Sequence, residues 1–256
     1  MPGLEAVHTL AREPETKRSV LNRPMMAPIM ADEAMAARPG MPATGAAEQG
    51  LARLRPAAKR ALDILGAGAI LLFTLPVFLV LALLVKRDGG PVFYAHERVG
   101  RGGRLFGCLK FRSMVADADR RLAALLERDP EARREWEATR KLKNDPRVTW
   151  VGRFLRASSL DELPQLINVL RGEMSLVGPR PVQTSELAAF YGPAAQYYMA
   201  VRPGITGPWQ VSGRSDTSYA QRVALDVQYV AQASFWLDVK ILLRTPIAVL
   251  ARKGAY

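Results

Sequence analysis

The stretch Ser158-Ser159-Leu160-Asp161-Glu162-Leu163-Pro164-Gln165-Leu166-Ile167-Asn168-Val169-Leu170-Arg171-Gly172 opens on two adjacent carboxylates. Leu163, Leu166, Ile167 and Leu170 follow at i, i+3, i+4 and i+7, the spacing of one apolar stripe on an α-helix, and Gly172 stands where such a helix stops. Ser159-Leu160-Asp161-Glu162 also fits a Ser-x-x-Glu capping box, which would give its polar ends a purely structural role. Pro164 weighs against that, because in a helix capped by Ser159 its missing N–H would leave the Leu160 carbonyl without a partner. With Pro164 as the first helical residue instead, Asp161 and Glu162 fall in the entry turn. There the helix dipole favours negative charge, and both can stay ionised beside a cation.

Upstream, Ile64 to Val85 is 22 residues without a charge, about 33 Å as a helix and long enough to cross the hydrocarbon core. Arg53, Arg55, Lys59 and Arg60 precede it, and Lys86, Arg87, Arg98, Arg101 and Arg104 follow it, so positive charge favours the cytoplasmic side at both ends. Pro76, near the middle, removes one backbone bond and can bend the helix, permitting entry and exit on one face. Val92 to Val99 and Leu105 to Phe111 flank Gly100-Arg101-Gly102-Gly103 and read as a β-hairpin with a basic tip. Asp117 to Lys143 reads as a solvated amphipathic helix pair broken at Asp129-Pro130, and Glu186 to Val201 as a helix. Arg202 to Pro208 is dense in turn formers, and Phe235 to Arg244 mixes aromatic, aliphatic and basic residues, as a helix in a membrane interface does, although a core helix fits the same pattern.

The chain has 256 residues and a formal charge of +12. Residues 1–50 contain five Lys/Arg and six Asp/Glu, so the basic excess lies entirely beyond them. That segment is rich in Ala, Pro and Met, lacks a period, and is expected to be a disordered tail with no secretory signal, leaving 51–256 as the folded part. The basic balance suits an anionic partner, whether nucleic acid, lipid surface or phosphorylated substrate. The apolar segment and the lack of any base-reading module point away from nucleic acid. A single cysteine, Cys108, excludes an internal disulfide, and with only His8 and His96 beside it a zinc site of N/S ligands is not expected.

Asp145-Pro146-Arg147-Val148-Thr149, Gly152-Arg153-Phe154-Leu155-Arg156, the Leu160 to Gly172 segment, Ser175-Leu176-Val177-Gly178-Pro179-Arg180-Pro181 and Arg202-Pro203-Gly204-Ile205-Thr206-Gly207 occur in one order. Together they resemble the bacterial sugar transferase family, the monotopic polyprenyl-phosphate phosphoglycosyl transferases, from roughly Lys59 to Tyr256. The resemblance implies an α+β, mostly helical fold with a re-entrant membrane helix, interfacial amphipathic helices and a small β-hairpin. The family usually has a Ser-Pro pair at the bend of that helix, where this chain has Leu75-Pro76, with Thr74 one residue earlier.

The resemblance also implies the reaction: transfer of a sugar 1-phosphate from a UDP-sugar to undecaprenyl phosphate, with release of UMP, at the cytoplasmic face of the bacterial inner membrane. Asp161 is then the expected nucleophile, forming an aspartyl-phosphosugar, and Glu162 the expected Mg²⁺ ligand, since Mg²⁺ commonly takes one or two protein oxygens plus substrate phosphates. Arg180, stiffened between two prolines, is expected to hold phosphate at little ordering cost. Lys110, Arg112, Arg156 and Arg202 are further substrate-binding candidates. Arg60 is the candidate for the lipid phosphate, with Asp63 paired to a cation so close to hydrocarbon. A homo-oligomer is compatible with this reading, and a catalytically inactive scaffold of the same fold is its alternative.

Overall fold

The computed structural model describes residues 56–139, 142–212 and 218–250; the expected N-terminal tail lies outside them. The long apolar segment becomes helix α1, Pro56–Lys86, and the chain stays helical through Pro76. Thr74 Oγ1 donates to the Ile70 carbonyl at 2.7 Å, a back-bond of the kind that accompanies helix bending. One face of α1 is buried at both ends, through Asp63 and Ala67 near its start and Phe78, Leu81 and Val85 near its finish. The opposite face leaves Leu72, Phe73 and Leu83 largely exposed.

The hairpin forms as expected, β1 (Phe93–Val99) against β2 (Leu105–Phe111), antiparallel, with Phe93 opposite Phe111. The charged stretch forms α2 (Ala118–Arg128) and α3 (Pro130–Thr139), and Asp129 Oδ1 accepts from the N–H groups of Glu131 and Ala132 at the break. Helix α4 (Trp150–Ser158) is capped by Thr149, whose Oγ1 accepts from Gly152 N. Helix α5 (Gln165–Arg171) ends at Gly172, φ 84°, a left-handed geometry that glycine adopts without strain.

The expected Glu186 to Val201 helix is divided into α6 (Thr184–Phe190), a 3₁₀ turn at Gly192–Ala194, and α7 (Ala195–Ala200). Pro193 disfavours helical geometry at Gly192, whose φ is 47°. The loop expected after Arg202 hides strand β4 (Gly204–Thr206), which pairs in parallel with β3 (Ser175–Val177). Then come α8 (Pro208–Val211), α9 (Tyr219–Gln232) and α10 (Phe235–Leu250).

Two apolar clusters organise these elements. The larger gathers Ala67 of α1, Leu166 and Val169 of α5, Val177 of β3, Tyr197 and Tyr198 of α7, Val230 of α9 and Ile241 of α10. The smaller joins the far end of α1, through Phe78, Leu81 and Val85, to Phe111, Val151 and Leu155. Helix α5 touches both, which is why its stripe does not face one way: Leu166 packs in the first, Ile167 in the second, and Val169 is the most enclosed. Helix α10 combines the two expectations for its sequence, with Asp238 and Ile241 buried while Trp236, Leu243 and Ile247 stand exposed.

Candidate active site

Helix α4 ends at Ser159 in left-handed geometry, φ 58°, an uncommon conformation for a residue with a Cβ. The reversal sends the chain into one 3₁₀ turn, Leu160–Glu162, before α5 begins at Gln165. The capping box is not formed, since the Ser159 side chain makes no cap bond. Pro164 precedes the first α5 residue, one position earlier than expected, with helical φ of −60°. Asp161 and Glu162 thus occupy the entry turn.

Lys110, next to the end of β2, meets both carboxylates: its Nζ lies 3.3 Å from Asp161 Oδ2 and 2.8 Å from Glu162 Oε1. Arg180 Nη2 donates to Glu162 Oε1 at 3.5 Å. The strand that carries Lys110 is held against α5 by Asn168, which accepts from Leu109 N at 2.9 Å and donates to Gly107 O at 2.8 Å. Asn168 is fully buried, so these bonds fix the height of Lys110 relative to the turn. Arg156 donates to Ser113 Oγ at 2.9 Å and exerts a smaller pull on Asp161.

Burial pushes the Asp161 carboxyl above the usual carboxylate range; Lys110 opposes this and the Glu162 charge adds to it. Burial works against the Lys110 ammonium too, but the Glu162 and Asp161 carboxylates outweigh it and hold its pKa above the ordinary value. The cleft beside this group is lined by Arg98, Lys110, Glu162, Gln165, Arg180 and Ile205. The sequence offers Arg98 only as a basic flank of the apolar segment and Gln165 only as part of the α5 stretch, three residues after Glu162.

The other expected site residues lie elsewhere. Arg112 is 8% exposed, and its five N–H donors are engaged by Asp88 and by the carbonyls of Val85, Pro91 and Met114. It clamps the end of α1 to β2 and has no donor left for a phosphate, a structural role in place of the expected substrate contact. Arg60 donates to the Val169 and Leu170 carbonyls at 2.6 and 2.8 Å, and Arg202 to the Gly172 carbonyl at 2.7 Å. Both cap the C-terminus of α5, where the dipole favours cations, at the opposite end of that helix from Asp161. Neither joins the carboxylate group. Asp63 pairs with a cation as expected, Lys59 at 3.6 Å, and accepts from Ser175 Oγ and Leu176 N.

The donor set suits magnesium. Asp161 and Glu162 are hard oxygen ligands side by side, and although no cluster of three His, Cys, Asp or Glu occurs among the described residues, Mg²⁺ does not need one when substrate phosphates complete its shell.

Two adjacent carboxylates met by Lys110 and Arg180 thus form the centre of this turn. The profile of the bacterial sugar transferases matches residues 54–252. The chain belongs to the bacterial sugar transferase family. Among sugar transferases of known name, the UDP-galactose-lipid carrier transferase of Erwinia amylovora is 55% identical over 77% of this chain and 41% of its own length. The exopolysaccharide production protein ExoY of Rhizobium meliloti is 54% identical over 78% of this chain and 88% of its own. The undecaprenyl-phosphate galactose phosphotransferase of Salmonella typhimurium is 54% identical over 77% and 41%. The chain therefore spans less than half the length of the Erwinia and Salmonella transferases and most of the Rhizobium protein.

Proposed function

We propose that this sugar transferase moves a sugar 1-phosphate from a UDP-sugar to undecaprenyl phosphate, releasing UMP, as the first step of exopolysaccharide or related glycan assembly. The observation that carries the reading is the Asp161-Glu162 turn with Lys110 and Arg180 converging on it, in a chain that over 77% of its length is 54% identical to an undecaprenyl-phosphate galactose phosphotransferase. An Asp161 carboxylate oxygen attacks the sugar-bearing phosphorus, the P–O bond to UMP breaks, and an aspartyl-phosphosugar remains. A phosphate oxygen of the polyprenyl acceptor then attacks the same phosphorus and returns the carboxylate.

A carboxylate approaching a diphosphate needs the negative charge there neutralised and the two oxygens held in line. Lys110 and Arg180 supply positive charge on the side of Glu162. Glu162 would hold Mg²⁺ together with substrate phosphate oxygens, and that ion would neutralise phosphate charge. Helix α1 and the exposed Trp236, Leu243 and Ile247 of α10 support a membrane-associated enzyme. A re-entrant α1 would place the site at the cytoplasmic face, where UDP-sugars are made.

The test is a UMP-release assay over a panel of UDP-sugars with detergent-solubilised protein, undecaprenyl phosphate and Mg²⁺. Turnover with at least one donor, lost on chelation and lost in Asp161→Asn by at least about 10³-fold, is expected. Absence of UMP release with every donor would favour an inactive scaffold. Wild-type-like turnover in Asp161→Asn would remove that residue as nucleophile.

A further inference from the structure

Beyond the half-buried Arg180 lies a buried arginine that the reaction as described does not use. Arg222, on α9, is 8% exposed, and its Nε and Nη2 have no hydrogen-bond partner among the described residues. Its Nη1 lies 3.4 Å from the Tyr219 hydroxyl, and its charge faces Glu186 Oε2 only at 4.0 Å. Glu186 already pairs with Arg98 at 3.0 Å, so the two arginines share that carboxylate, and buried Asp226 is the other acid whose charge acts on Arg222. The guanidinium packs over the rings of Trp209 and Tyr219, each at 5.0 Å, and Arg180 packs over the same Trp209 at 5.5 Å. One indole therefore joins the arginine that touches Glu162 to the arginine with idle donors.

A second idle group belongs to the next residue after that tryptophan. Gln210 is 7% exposed; its amide nitrogen reaches the carbonyl of Ile205, a wall of the cleft, while its Oε1 has no partner among the described residues. Buried N–H and C=O groups are almost always satisfied, and each one left bare carries a desolvation cost. Stacking against two aromatic rings fixes the guanidinium plane, so its idle edge is preorganised. Planar donors and acceptors around an aromatic face suit a ligand rich in hydroxyl and carbonyl oxygens.

We propose that Arg222, with Gln210 and Trp209, binds the nucleotide-sugar donor at a part remote from the reacting phosphate, Arg222 donating through Nε and Nη2 to hydroxyl or carbonyl oxygens. Both the sugar and the nucleoside carry such oxygens. The inference rests on the donor being a nucleotide sugar, and it adds the residues that read the rest of that molecule. A buried water between Arg222 and the bare Oδ1 of Asp226, one helical turn on, is the competing use of the same atoms.

The experiment compares the full-length wild type with Arg222→Lys, which keeps the charge opposite Glu186 but loses the planar edge. Wild-type UMP release must be seen first; without it the proposed function fails, whatever Arg222 does. With it, Arg222→Lys is expected to raise the donor KM roughly 10- to 100-fold with kcat changed far less, the loss of hydrogen bonds from a charged donor. If inhibition by UMP weakens in parallel, the contact is to the nucleoside. Unchanged UMP inhibition with altered discrimination among UDP-sugars differing in one hydroxyl assigns it to the sugar. An unchanged KM, or a fall in kcat alone, overturns the inference and leaves Arg222 to a bridging water or to shaping Trp209. If Arg222→Lys gives no cooperative melt, Gln210→Met, which removes the bare acceptor at similar volume, carries the same expectation and the same overturning result.

Discussion

At the scale of single residues, the competing influences on Asp161 set a pH dependence. Burial raises its pKa and Lys110 opposes the rise. The nucleophile must be ionised, so activity falls as pH drops through the raised pKa. Stability runs the other way: the folded state holds this proton more tightly than the unfolded one, so its contribution is full below the ordinary carboxylate pKa and is lost as pH climbs through the raised value. Replacing Lys110 with Met removes the opposing charge, and the acid limb of the kcat/KM profile should move to higher pH. A limb that stays in place or moves down in Lys110→Met would show that Lys110 does not control Asp161. The sequence pointed to Asp161, Glu162 and Arg180 because each stands in a long motif that a resemblance can carry, and the structure brings them together with Lys110, which lies outside those motifs. The same reasoning misplaced Arg112, since a motif records that an arginine is present but not that Asp88 and three carbonyls surround it. It passed over Arg222 because a buried arginine with two bare nitrogens looks, in one dimension, like any arginine on a helix.

At the scale of elements, the site depends on how α4 is seated, and Ser113, two residues beyond β2, is the seat. Its carbonyl accepts from Thr149 N at 3.1 Å, its hydroxyl accepts from Arg156 at 2.9 Å, and a Cβ on Gly152 would come within 1.9 Å of that same carbonyl. Gly152 is thus needed for close approach, because a methyl group there must push α4 off the backbone that leads from Lys110. Gly152→Ala should cost about 3 kcal/mol, at the upper end of overpacking effects, and lower the unfolding temperature in detergent while reducing turnover. Gly68→Ala in α1, where a Cβ meets nothing within 4 Å, is the control and should lose neither. Equal melting of Gly152→Ala and wild type would disprove the seating argument. Elements written in local pattern were legible, such as the hairpin around Gly100-Arg101-Gly102-Gly103 and the helix break at Asp129-Pro130. The pairing of β3 with β4 was not, because three-residue strands far apart in the chain leave no period to read; Pro203 and Gly204 suggest only a loop.

At the scale of the whole molecule, the question is how a helix as long as α1 meets a membrane. A helix that crossed the bilayer would carry one end far from the rest of the protein, yet both ends of α1 are tied to it. Near the start, Lys59 pairs with buried Asp238 of α10 at 2.8 Å and Asp63 accepts from Ser175 and Leu176. Near the finish, Phe78, Leu81 and Val85 pack on Phe111, Val151 and Leu155, and the Val85 carbonyl accepts from Arg112. Breaking the buried Lys59–Asp238 pair to free one end would leave an uncompensated charge, while the exposed face with Leu72, Phe73 and Leu83 asks for lipid along the middle. These contacts favour an α1 that enters the membrane and keeps both ends on one side, and basic flanks at both ends would suit an anionic leaflet. Ala57→Cys and Arg87→Cys, both at exposed positions, mark the two ends. Cys108 gives a silent background, 2% exposed with burial pushing its thiol pKa up to about 11. In intact cells a membrane-impermeant thiol reagent should label neither site, and after lysis it should label both. Labelling of only one of the two before lysis would mean that α1 spans the bilayer, and the contacts made by one of its ends would then have to be absent in the membrane.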